Sequence, residues 1–191
     1  NIQDWKSFLS SKTSMYKNIL FFSLIFLAVL LQISFFPNLI PLRVFPDVVL
    51  IIILFWTVRR GFEETWKWAI FAGLMIDLAY FWPVGASVFS FVLIAYLVNS
   101  LAKRFLVTQT VFRFLILLAF VVLGTILNSI LLILAVKLAR REAADLNMLF
   151  FNSDIIFKIL YNFGIFSLIY APLGKLEKFS ISLDSRLKSF G

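Results

Sequence analysis

Asp77 stands in an otherwise apolar stretch, residues 69–80. A carboxylate inside a membrane span costs about 2.5–3.5 kcal/mol on insertion scales, so it is expected to face protein and not lipid. Ala69, Gly73 and Asp77 recur every four residues, which puts all three on one helix face. The two small residues allow a second helix to approach, and Asp77 then points at that neighbour. Its expected partners are backbone donors of the Pro83–Ser87 turn, or Arg43. Capping that turn is the plainer role; binding an ion or ligand is the sharper one.

Asp47 follows Pro46 at the start of an aliphatic run, where a carboxylate suits a helix N-terminus without any further function. Asp154 and Lys158 are four apart in the favourable order and are expected to pair. Gln32, Asn99, Asn128 and Asn162 are uncharged, and hydrogen bonds between helices explain them. Gly124 with Asn128, and Thr125 with Ser129, mark a stripe suited to helix contact. Cys and His are both missing, which excludes a thiol nucleophile, a disulfide and imidazole acid–base chemistry. No pair of acids has a metal-binding spacing, and no phosphate loop occurs. The residues therefore predict no enzyme, no cofactor and no metal.

The elements that must hold these residues follow from hydropathy. The chain has 191 residues and is 62% hydrophobic, more than one soluble core of this size can bury. Its charges, 15% of residues, cluster between long apolar runs. This predicts an all-α integral membrane protein, a six-helix bundle. Between Lys17 and Arg43 lie 25 uncharged residues, enough for a first span over about 18–36. This run is too long for a signal-peptide core and is read as a retained helix. Pro37, Pro41 and Pro46 break it.

The second span, about 44–58, contains an apolar stretch of only 11 residues, Val48 to Val58. Such a helix needs shielding by its neighbours. Further spans are expected at about 66–81, 84–102, 113–136 and 154–172, with a tight turn at Trp82-Pro83-Val84-Gly85. The segment 138–151 reads either as an interfacial helix or as a continuation of the fifth span.

Thirteen of the 18 Lys and Arg fall on the side that carries both termini, which places those termini in the cytoplasm. The net charge of +8 has the same origin, so nucleic acid is not an expected partner. The tails, 1–17 and 174–191, look amphipathic. Trp5, Phe8 and Leu9 share one face, as do Phe179, Leu183, Leu187 and Phe190, with cations around them that suit membrane lipids.

The order of these features resembles a known family. Leu30-Leu31-Gln32 at the end of the first span precedes a Pro-rich loop and Phe45-Pro46-Asp47. Gly73 through Leu74-Met75-Ile76-Asp77-Leu78 then leads to Pro83-Val84-Gly85 and Ile94-Ala95-Tyr96-Leu97. Together these resemble the rod shape-determining protein MreD family over roughly residues 20–105.

The resemblance implies a non-enzymatic, multi-pass component of the bacterial cell-elongation machinery in the cytoplasmic membrane. It implies binding to MreC, and through MreC a link to MreB, to RodA with its penicillin-binding transpeptidase, and to peptidoglycan synthesis and cell shape. The family is also similar in fold to the S-components of energy-coupling-factor transporters. A vitamin-binding transporter subunit is thus the main alternative. A lone Ala28 among bulky residues, in place of an alanine-x-x-x-alanine stripe, weighs against it. A lipid-handling enzyme or flippase lacks the acid–base pairs it would need. On the scaffold reading, Gln32, Pro46, Asp47, Ala69, Gly73, Asp77, Pro83, Gly85, Gly124 and Asn128 are the candidates for helix packing or partner contact.

Overall fold

The computed structural model describes the backbone of residues 15, 18–39, 44–105, 110–140 and 153–189, and side chains over a slightly narrower set. The tail residues 1–14, Arg43 and most of 138–151 lie outside it, as do the side chains of Arg113, Asp154 and residues from 178 onward. Among the described residues the fold is all α, with no strand. We label the helices α1 (Asn18–Asn38), α2 (Val48–Arg60), α3 (Phe62–Ala79), α4 (Ala86–Phe105), α5 (Thr110–Arg140) and α6 (Ser153–Ser189).

Four of these helices, α1, α4, α5 and α6, contain stretches long and apolar enough to cross a membrane. The chain forms an all-α membrane bundle. It divides into two compact units, one over Ile25–Phe166 and the other made of Asn1–Leu24 with Ser167–Gly191.

The larger unit is organised around α2. Its 13 residues span only about 20 Å at 1.5 Å per residue, against a hydrocarbon core of about 30 Å. Every residue from Val48 to Val58 is buried. A helix that is apolar all round belongs inside protein, and α2 packs against α3, α4 and α5. The neighbours supply the shielding that its length demands.

Its ends are well defined. The Asp47 side chain accepts from Leu50 N at 3.3 Å, and Arg59 and Arg60 occupy the last turn, where cations favour the helix dipole. Gly61 stops the helix at φ 83°, a left-handed conformation that favours glycine. Helix α3 follows at once, with Glu63 and Glu64 in its first turn. Its Phe62 N–H donates to Asn99 Oδ1 at 3.2 Å, so a side chain of α4 helps cap α3.

Helices α3 and α4 form the most extensive pair. Ala69 is fully buried, and Gly73 lies directly against α4. A Cβ at Gly73 would fall 2.6 Å from the Cα and N of Val88, a distance no side chain tolerates. Gly124 on α5 also sits close to a neighbour, but there an added Cβ would meet only the end of the Leu54 side chain of α2, at 2.9 Å.

Two helices differ from the sequence expectation. The end of α1 contains a π-helical turn, Leu31–Phe35, in which Phe36 N–H reaches Leu31 O. In the smaller unit, α6 continues past Pro172 to Ser189 instead of ending there. Proline removes one backbone donor, but helices in membranes tolerate this because nearby groups satisfy the freed carbonyl.

Candidate functional site

Polar side chains in the larger unit gather in two places, each centred on an aspartate. The first is the turn between α3 and α4. Asp77 is fully buried, and its carboxylate accepts from Gly85 N at 2.7 Å and Ser87 N at 2.9 Å. Its backbone carbonyl accepts from Trp82 N at 3.0 Å. The Pro83 carbonyl accepts from Ala86 N at 3.0 Å, and Gly85 adopts φ 99°, so the turn closes over the carboxylate. Asp77 thereby satisfies donors at the N-terminus of α4, where its charge also meets the positive end of the helix dipole. Arg43, the other expected partner, lies outside the described residues.

The second gathering is larger and joins five helices. Asp47 is buried at the entrance to α2. Oδ2 accepts from Asn128 Nδ2 of α5 at 2.7 Å and lies 3.6 Å from Lys158 Nζ of α6. Oδ1 accepts from Gln32 Nε2 of α1 at 3.4 Å and from Leu50 N. The backbone N–H of Asp47 donates to Asn162 Oδ1 at 2.6 Å.

The partners are themselves held. Gln32 Oε1 accepts from Val49 N at 3.2 Å, and Tyr80 Oη donates to the Gln32 carbonyl at 3.4 Å. Ser90 Oγ of α4 donates to Asn128 Oδ1 at 2.5 Å. Asn162 Nδ2 donates to Thr125 Oγ1 at 2.7 Å, whose own hydroxyl donates back to Val121 O. The π turn carries Gln32 into this cluster, as such insertions often do at specialised positions. An open cavity of about 590 Å³ adjoins the cluster, with Asp47, Asn128 and Lys158 on its wall.

Of the residues singled out from the sequence, Gln32, Asp47 and Asn128 converge here, with the buried Pro46 leading into Asp47. Ala69, Gly73, Asp77, Pro83 and Gly85 belong to the α3–α4 contact and its turn, while Gly124 seats α5 on α2. Lys158, whose spacing suits a pair with Asp154, lies 3.6 Å from Asp47; the Asp154 side chain is outside the described set. Sequence reasoning also left Ser90, Thr125, Asn162 and Tyr80 without a place in a shared site. A signal existed: Thr125 with Asn128, and Lys158 with Asn162, are polar pairs at helical spacing within apolar helices.

What the cluster does chemically is bind helices together. In a low-dielectric interior an unpaired polar group is costly, and a connected network fixes one arrangement of the helices that carry it. Among the described residues no group of three or more acids, His or Cys is placed to hold a metal.

The fold and this network define an all-α membrane protein whose buried polar groups bond mainly to one another and to backbone ends. A model of the family described as rod shape-determining protein MreD matches residues 12–179. The chain belongs to that family, and so is a rod shape-determining membrane protein. No curated protein and no solved structure matches it.

Proposed function

We propose that the protein is a non-enzymatic membrane scaffold of the bacterial cell-elongation machinery. In this reading it is a multi-pass protein of the cytoplasmic membrane with both termini inside. It binds MreC, and through that complex it is linked to MreB, to RodA and to the associated penicillin-binding transpeptidase. It thus supports peptidoglycan synthesis and cell shape. The observation that carries the reading is the family match over residues 12–179. The internal chemistry supports it: Asp77 caps a turn, and Asp47 holds helices together. A bundle fixed in this way offers stable helix faces to a partner's membrane segment.

Co-purification of the full-length protein in mild detergent tests the proposal. The expected result is recovery of MreC as a single-span, coiled-coil partner. Recovery of a bound vitamin or of ATP-binding-cassette subunits instead would replace the scaffold with the transporter reading.

A further inference from the structure

We propose that the cavity beside Asp47 binds one amphiphile with a phosphate-bearing head, drawn from the membrane. Its volume of about 590 Å³ falls within the roughly 300–1,000 Å³ of small-molecule sites. The wall carries two kinds of group. Leu132, Ile133 and Val136 of α5, with Ile155 of α6, supply aliphatic surface, and Phe45, Trp82 and Phe91 add aromatic surface. Asp47, Asn128 and Lys158 line it as well, and so do Ser87 and Ser129.

The polar groups have donors in excess. Both oxygens of Asp47 are occupied, by Leu50 N and Gln32 on one side and by Asn128 and Lys158 on the other. Asn128 uses one amide hydrogen on Asp47 and has a second. The ammonium of Lys158 has three hydrogens, and among the described residues its carboxylate partner is Asp47, 3.6 Å away. The hydroxyls of Ser87 and Ser129 are buried without a hydrogen-bond partner. Both hydroxyls lie on the wall of this one cavity, where a bound acceptor can meet them.

The molecule that complements this wall must bring acceptors and no surplus of donors. A quaternary ammonium has no acceptor to offer. A phosphate ester has several, with negative charge to match Lys158 and Lys137, which is also on the wall. The apolar surface calls for a hydrocarbon portion, which free phosphate lacks. The inference concerns the cavity alone and stands whether or not MreC is recovered.

Native mass spectrometry of the full chain, released from a neutral maltoside detergent, tests this with four probes. Decyl phosphate, decanol, decyltrimethylammonium and inorganic phosphate separate the contributions of head and tail. The expected result is a one-to-one adduct with decyl phosphate, bound at least tenfold more tightly than the other three. Ser87→Ala with Ser129→Ala should weaken that adduct several-fold while leaving the thermal unfolding midpoint unchanged. Ile133→Trp, which adds bulk to the apolar surface, should abolish it. Phosphatidylglycerol should compete with decyl phosphate, identifying a membrane lipid as the source. Equal binding of decyltrimethylammonium, or full binding by both variants, overturns the proposal. Inorganic phosphate binding as tightly as decyl phosphate also overturns it, because the apolar wall would then play no part.

Discussion

Asp77 and Asp47 are both buried carboxylates at helix entrances, yet their surroundings are built differently. The Asp77 carboxylate accepts from backbone donors eight and ten residues along the chain. Asp47 caps its own helix and is also met by side chains from α1, α5 and α6. One is a local device that sets the geometry of a hairpin; the other is a long-range device that sets which helices sit together. Loss of the first should loosen one turn, whereas loss of the second should loosen the bundle.

The largest effect that can break this comparison is expected from Asp47→Ala. Removing one partner of a buried ion pair costs on the order of 3–5 kcal/mol, and here Lys158, Asn128 and Gln32 lose their acceptor together. The lower end of that range applies, since the Lys158 side chain is 20% exposed. Detergent-solubilised protein should show a markedly lower unfolding midpoint. Asp47→Asn combined with Lys158→Met should recover part of the loss, and a double variant no better than the sum of the singles would argue against the pair.

Gly73→Leu comes next. Overpacking costs typically about 1–3 kcal/mol, and the clash here is with backbone, so the upper end is expected. Unchanged yield and unfolding midpoint for this variant would mean that α3 and α4 do not approach as closely as described. Asp77→Ala should cost about 2 kcal/mol, the range for a lost cap that strands buried N–H groups. Its effect should also add to that of Asp47→Ala within about 0.5 kcal/mol, because the two share no hydrogen-bond partner. Strong coupling between them would erase the distinction between local and long-range devices. The smallest effect is expected at the Arg60–Glu64 pair, 3.5 Å apart with Glu64 largely exposed. Glu64→Ala should change stability by less than about 1 kcal/mol.

The same contrast explains what could be read from the sequence. The Asp77 arrangement was legible because Pro83 and Gly85 announce a turn within ten residues, and the spacing of Ala69, Gly73 and Asp77 names the face. The brevity of α2 was legible too, as was its need for cover. The partners of Asp47 were not. Asn128 and Asn162 are 81 and 115 residues away, and helical spacing carries no information across such distances. Lys158 shows what a local rule leaves out: the i,i+4 pattern names Asp154, whose side chain lies outside the described residues, and says nothing of Asp47, 111 positions away, which the tertiary fold brings to 3.6 Å. The π turn was equally hidden, since nothing in Leu31–Phe35 departs from ordinary helix composition.

That turn has a genetic consequence. It holds one residue more than the regular helix would, so deleting any one residue in Leu31–Phe35 would yield an unbroken α-helix with a better hydrogen-bond ladder. The two sides of the deletion would then rotate against each other by about 100°. Ala28 and Val29 on one side and Phe36 on the other are all buried, so they could no longer keep their seats together. Single-residue deletions in this short stretch should therefore be far less tolerated than substitutions at its exposed positions, Leu31 and Phe35, and the length of the segment is under tighter constraint than its spelling.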